Sequence, residues 1–166
     1  MSYLERVQSC AVYHPDGYLP FLVGGEQVGQ VRADFAGELE RFDDVFRVSK
    51  GKIELAGNLK SAASRTDAMA QVLAQLRKED RVPGWRDELY PATTSFGTPS
   101  LFDMERAAVP LFGVRGYGVH INGIVTDGDT MSMWIGRRSM SKPTGPGKLD
   151  QMVAGGQPAG MSLRDN

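Results

Sequence analysis

The stretch FRVSKGKIELAGNLKSAASRTDAMAQVLAQLRKE, residues 46–79, carries a change of period that sets the fold class. Phe46 and Val48 alternate with polar residues and face Ile53 and Leu55 across Lys50-Gly51, which predicts a hairpin. From residue 61 the spacing lengthens: Met69, Val72, Leu73 and Leu76 recur at i, i+3, i+4 and i+7, the apolar stripe of an amphipathic helix. Ser61, Ser64 and Asp67 crowd the amino end of this helix, where unpaired N–H groups favour oxygen acceptors, and Pro83-Gly84 closes it. A hairpin feeding a helix, rather than a repeated strand-helix-strand unit, points to an α+β fold.

The same patterns extend outward. Toward the amino end, Phe21 and Val23 alternate before a Gly24-Gly25 turn and are answered by Val28 and Val31, a second hairpin. Asp34 is placed to cap a helix carrying Phe35, Leu39 and Phe42. Leu4, Val7, Cys10 and Ala11 suggest a short amphipathic helix over residues 3 to 12, stopped by His14-Pro15-Asp16-Gly17. Toward the carboxyl end, Pro83, Pro91, Pro99 and Pro110 punctuate residues 80 to 113, an aromatic connector with Trp85, Tyr90, Phe96 and Phe102. These aromatics read as satellite core, or as a platform on which Trp85 and Tyr90 stack a heteroaromatic ring. Beyond Val114, Tyr117, Val119 and Ile121 alternate, and Thr126-Asp127-Gly128-Asp129 turns the chain into Met131, Met133 and Ile135, so a boundary is placed near 113.

Composition narrows the function classes. With 41% hydrophobic and 23% charged residues the chain has the makings of a packed core. Lys plus Arg (19) against Asp plus Glu (20) leave a net charge of -1, which offers no general attraction to nucleic acid or to an anionic membrane. Any anion must be held by a local cluster. No window approaches the roughly 18 apolar residues of a membrane span, and Met1-Ser-Tyr-Leu-Glu-Arg lacks the apolar core of a signal peptide. The single cysteine, Cys10, removes disulfide frameworks and multi-cysteine zinc sites and fits a reducing cytoplasm.

Two motif matches fail on their residues. Gly147-Lys148 has Lys142 where a phosphate-binding loop has its first glycine and Leu149 where it has Ser or Thr. Gly113-Val-Arg-Gly116-Tyr-Gly118 precedes a strand pattern instead of opening a helix. His14 reads as a turn residue, and His120, within a strand-like alternation, is either a hydrogen-bonded strand residue or one that points into a cleft.

The cationic cluster is more informative. Arg137, Arg138, Lys142 and Lys148 fall within twelve positions of a Gly/Pro-rich loop, where backbone approaches a ligand closely and arginine forks grip phosphate oxygens. By composition alone the cluster reads first as a solvated basic loop.

The order of residues around it is specific. Trp134-Ile-Gly-Arg137-Arg138-Ser139, then Lys142, then Thr144-Gly-Pro146-Gly147-Lys148-Leu149-Asp150, then Ala154-Gly155-Gly156 resembles the opening half of a Nudix domain, in the subgroup shared with isopentenyl diphosphate isomerases. Val119-His-Ile-Asn122-Gly123 looks like that domain's first strand. Gly84-Trp-Arg-Asp-Glu-Leu-Tyr90 and Glu105-Arg106-Ala-Ala-Val-Pro110-Leu-Phe-Gly113 resemble the accessory N-terminal domain of Nudix proteins related to thiamine pyrophosphokinase. The resemblance implies residues 1–113 as an accessory α+β domain and residues 114–166 as the first strands of a Nudix α/β/α sandwich, ending inside the Nudix motif.

It also implies function. Counting the family signature from Gly155 puts Met161 at the first glutamate position and places the Arg-Glu pair and the paired glutamates beyond Asn166. The expected parent is a Mg²⁺- or Mn²⁺-dependent hydrolase that cleaves a phosphoanhydride bond in a nucleoside- or thiamine-type diphosphate, with the 166 residues alone inactive. Clustered carboxylates would hold the metal that stabilises charge on the attacking and leaving oxygens. Substrate contacts are expected from Arg137, Arg138, Lys142 and Lys148, with His120, Asn122 and Asp150 as neighbours, and backbone metal contacts from Gly155 and Gly156. The expected partner is a small-molecule diphosphate, with neither nucleic acid nor membrane, and a homodimer is open. The isomerase reaction is disfavoured because residues 148 to 156 hold no cysteine. The other reading is a module that has lost catalysis and senses a phosphorylated ligand, with Met161 as its first sign.

Overall fold

Tyr18–Val23 (β1) and Glu26–Arg32 (β2) form an antiparallel hairpin closed by Gly24 and Gly25, both at positive φ. The computed structural model describes residues 2–10, 14–142 and 144–166. A bulge between Phe21 and Leu22 shifts the register of this hairpin. The chain then turns through helix Ala33–Leu39 (α2) into a second hairpin, Phe46–Ser49 (β3) and Lys52–Leu55 (β4). β4 lies parallel to β1, Phe21 opposite Ile53, giving a four-stranded mixed sheet of order β2-β1-β4-β3. The hairpin-helix reading of residues 46–79 is borne out, and with it the α+β class.

Helix Ala62–Lys78 (α3) starts at Ser61, whose hydroxyl accepts from the Ser64 amide (3.0 Å) while the Ser64 hydroxyl accepts from the Ser61 amide (3.1 Å). This reciprocal cap satisfies two of the helix's unpaired donors. Met69, Val72, Leu73 and Leu76 are its buried residues, the stripe that the spacing predicts. The helix ends at Lys78, ahead of Pro83, because Asp80 adopts a left-handed φ of 55°.

Residues 80–113 are the largest departure from expectation. They form a hairpin, Leu89–Ala92 (β5) with Phe102–Glu105 (β6), followed by a 3-10 turn and the short helix Val109–Phe112 (α4). Phe102 and Phe112 are fully buried, and the Phe21 ring lies 6.1 Å from Phe102 and 5.6 Å from Phe112, with Phe46 6.0 Å from Phe112. Such ring pairs add to the burial of each side chain, itself worth about 1.5–3 kcal/mol. The proline-punctuated segment thus contributes to the core, as the satellite-core reading of its aromatics expects: Phe102 and Phe112 complete a cluster with Phe21 and Phe46, whereas Phe96 is exposed.

Three smaller expectations are corrected. The first helix is Tyr3–Ser9 (α1), capped by Ser2 and carrying no buried residue; Ala11 lies outside the described residues. Asp34 is not the cap of α2 but a first-turn residue that accepts from the Phe35 amide (2.9 Å) and from the Arg32 guanidinium. Phe42 lies beyond α2, half-buried against the core. Among the described residues no helix is long and apolar enough to cross a membrane.

The chain divides into two compact units, residues 1–115 and 116–166. The second consists of short strands: Gly118–Ile121 (β7), Ile124–Asp127 (β8), Thr130–Met133 (β9), Gly136–Arg137 (β10), Leu149–Asp150 (β11) and Val153–Gly156 (β12). They pair as three separate antiparallel ladders, β7 with β12, β8 with β9 and β10 with β11. None of the described residues of this unit is buried, and Ile124, Met131, Met133, Trp134, Leu149 and Val153 are exposed.

Candidate functional site

The β10–β11 ladder pairs Gly136 with Asp150 and Arg137 with Leu149, and so closes the loop 139–147, with Lys142 in the loop and Arg137, Arg138 and Lys148 at its base. Backbone bonds continue the closure: the Arg138 amide donates to the Lys148 carbonyl (2.9 Å) and the Gly147 amide to the Arg138 carbonyl (3.1 Å). Gly145 and Gly147, at φ of 57° and 70°, make the return bend that a side chain would strain. Inside the loop the Lys142 amide donates to the Ser139 carbonyl (3.2 Å), and the hydroxyls of Ser139 and Ser141 are 2.8 Å apart.

Arg138 holds this arrangement from its side chain. Nε donates to the Thr144 carbonyl (3.0 Å) and Nη1 to Asp150 Oδ2 (2.6 Å). Asp150 Oδ1 also accepts the Gln151 amide (2.9 Å). The Arg138 guanidinium, then the Gln151 amide, and more weakly the charge of His120, hold the Asp150 carboxyl below the usual aspartate range. His120, on β7 opposite Ala154, is hydrogen-bonded through Nδ1 to the Gln151 side chain.

The expected site residues therefore separate. Arg138, Asp150 and His120 come together around Gln151, and the Arg138 fork is engaged by protein oxygens rather than turned outward. Arg137, Lys142 and Lys148 are exposed, and among the described residues their side chains form no ion pair. Asn122, exposed in the turn between β7 and β8, makes no side-chain bond to any of them.

Gly155 and Gly156 lie not in a loop but in strand β12, opposite Val119 and Gly118. The fit there is tight, since a Cβ on Gly118 would come within 2.7 Å of the Gly155 carbonyl oxygen. Among the described residues no group of three or more His, Cys, Asp or Glu side chains is placed to hold a metal ion, so these residues do not themselves fit a divalent metal. Trp85 and Tyr90 do not form one shared open platform. Tyr90 is only 5% exposed, with the Arg106 guanidinium 5.3 Å from its ring centroid, and Trp85 is half-buried, with Arg77 over its ring.

Residues 2–116 match a family described as a domain of unknown function (DUF4743). The chain belongs to the DUF4743 family. This DUF4743 chain is also 40% identical over 99% of its length to Nudix hydrolase 24, chloroplastic, of Arabidopsis thaliana, and 41% identical over 90% to Nudix hydrolase 20, chloroplastic, of the same plant. An uncharacterized protein of Saccharomyces cerevisiae is 32% identical over 70% of the chain. The matches span 46%, 42% and 35% of those proteins, so the chain covers less than half the length of these curated relatives. The relationship to Nudix hydrolases that the motif order implies is thereby shown. The expectation of a cytoplasmic home is corrected, because both plant relatives are named chloroplastic. A lone cysteine does not distinguish one compartment from another.

Proposed function

We propose that the whole protein is a Nudix-type hydrolase acting on a small-molecule diphosphate, with residues 1–113 as an accessory domain and residues 114–166 as the first strands of the catalytic domain. The observation that carries this reading is the β10–β11 pair and the loop it closes, which leave Arg137 on β10, Lys142 in the loop and Lys148 at its return exposed to solvent, with Arg138 bonded to Thr144 and Asp150 at the base. Three exposed cations on and beside one strand pair suit the oxyanions of a diphosphate, since the paired backbone at residues 136–138 and 147–150 lowers the entropy lost on binding. Arg138 is a positioning residue in this scheme, not a phosphate ligand.

The exposed apolar strands of residues 116–166 support the domain assignment. Three strand pairs with no buried residue among those described have not removed their apolar faces from water, as an independent domain must. We assign the missing cover, and the glutamates that hold Mg²⁺ or Mn²⁺, to the part of the relatives' length that these residues do not span. Bound there, the metal would supply electrostatic stabilisation of the cleaved phosphoanhydride. Within this chain the work is binding and orientation. A thiamine-type or nucleoside-type diphosphate is the substrate class that the thiamine-pyrophosphokinase-related resemblance favours.

The test is phosphate release by the whole protein from a panel of diphosphates with Mg²⁺ or Mn²⁺. Turnover of a thiamine-type or nucleoside diphosphate is expected, and failure to cleave any of them would sink the hydrolase reading. Met161, at the first glutamate position of the family signature, favours a second reading as a sensor of a phosphorylated ligand. Calorimetric binding of a diphosphate without turnover is its signature.

A further inference from the structure

A cavity of about 290 Å³ lies within the first unit between α3 and the β5–β6 hairpin. Leu73, Met104 and the Trp85 indole give it apolar walls, and Asp87, Asp103 and Glu105 place three carboxylates around it, with no Lys or Arg among the lining residues. Each acid has one oxygen engaged. Asp87 Oδ1 accepts the Trp85 indole N–H (2.7 Å), Asp103 Oδ1 accepts the Ser100 hydroxyl (2.7 Å), and Glu105 Oε1 accepts the amides of Arg86 and Ala107 (both 2.9 Å).

Glu105 is the telling residue. It lines the cavity and is only 4% exposed, and among the described residues its Oε2 accepts no hydrogen bond. A carboxylate withdrawn from water is costly unless its charge is answered; the two backbone donors answer one of its oxygens, and the Arg106 guanidinium, itself bonded to Glu88, also acts on its charge. Trp85 already attracts a cation: the Arg77 guanidinium lies 4.5 Å from its ring centroid, outside the cavity lining.

We propose that this cavity is a binding site for a small organic cation, an ammonium carried on one apolar ring or short chain, with Glu105 and Asp103 as its counter-charges and Trp85, Leu73 and Met104 against its apolar part. The volume, at the lower end of ligand pockets, fits a ligand of about one ring. The site is independent of the diphosphate loop and of the hydrolase reading.

Calorimetry on the whole protein near pH 7 tests it with benzylammonium and its neutral isostere benzyl alcohol. Benzylammonium is expected to bind saturably and at least tenfold more tightly than the alcohol. Glu105→Gln, which keeps an oxygen for the two amides, and Asp103→Asn should each lower benzylammonium affinity about tenfold while leaving that for the alcohol unchanged, a split that a purely structural role would not produce. Circular dichroism checks that each variant folds, and Asp103→Asn carries the test if Glu105→Gln does not. Equal affinity for the two ligands, no saturable binding, or unaltered affinity in a folded variant would overturn the proposal.

Discussion

Arg138 and Asp150 close the cationic loop from opposite ends, Nη1 to Oδ2 at 2.6 Å, while the same guanidinium reaches back to the Thr144 carbonyl. One side chain thereby fixes both the base of the loop and its far limb. Arg138→Gln should leave the rest of the chain intact and loosen residues 139–147. Hydrogen exchange at the Gly147 amide, which donates to the Arg138 carbonyl, is expected to rise on the order of tenfold. An unchanged exchange rate would show that backbone pairing alone orders the loop.

Acid should act on the same pair. Because Arg138 lowers the Asp150 pKa in the folded chain, the carboxylate's contribution is fully present above the unfolded aspartate value of about 3.9 and is lost as pH falls through the lower folded value. Asp34 beside Arg32 and Glu79 beside Arg41 and Gln75 are shifted in the same direction. The pairs are open to solvent, so the effect is modest and weakens with salt. NMR titration of the Asp150 carboxyl should give a midpoint below that of the same residue in Arg138→Gln, and identical midpoints would dismiss the linkage.

Tyr90 carries an inner contradiction. Its ring is buried, burial pushes the phenol's pKa up, and among the described residues its hydroxyl has no hydrogen-bond partner. Removing an unsatisfied buried hydroxyl while keeping the ring is neutral or favourable, so Tyr90→Phe is expected to stabilise the chain by about 1 kcal/mol in chemical denaturation. A loss of stability would mean that the hydroxyl finds a partner in solution.

Gly113 ends α4 at a φ of 56°, where a Cβ would come within 2.1 Å of the Gln30 carbonyl oxygen, and a Cβ on Gly29 would come within 2.3 Å of the Phe112 carbonyl oxygen. Two backbones meet here with room for hydrogen only. Gly113→Ala should cost about 2–4 kcal/mol, from left-handed strain plus the displacement of β2. A Tm within 2 °C or so of the parent would contradict this packing.

In the whole protein, Lys142→Ala and Lys148→Ala should each raise KM for a diphosphate by about tenfold, the size of one charge-assisted hydrogen bond. Steady-state kinetics on both variants decide it. Unchanged KM in both would return the loop to a solvated basic segment.

The sequence by itself determined the local elements. The hairpins through Gly24-Gly25 and Lys50-Gly51 and the buried stripe of α3 follow from period and turn chemistry, which act over a few residues and are written in order along the chain. The motif order from Trp134 to Gly156 reached the Nudix relationship by the same linear means. What only the tertiary structure decided depends on residues distant in sequence. The parallel pairing of Phe21 with Ile53 brings together two hairpins whose patterns give no hint of each other. Residues 80–113 read as a connector because prolines mask their strands, whereas Phe102 and Phe112 fill a core prepared by Phe21 and Phe46. The Arg138 fork looks from sequence like a phosphate ligand, but Asp150, brought beside it by the β10–β11 ladder, engages it first. Gly155 and Gly156 take a strand conformation from β7, and the cavity around Glu105 exists only where α3 meets β6. Spacing fixes which residues share a face, and packing decides what that face meets.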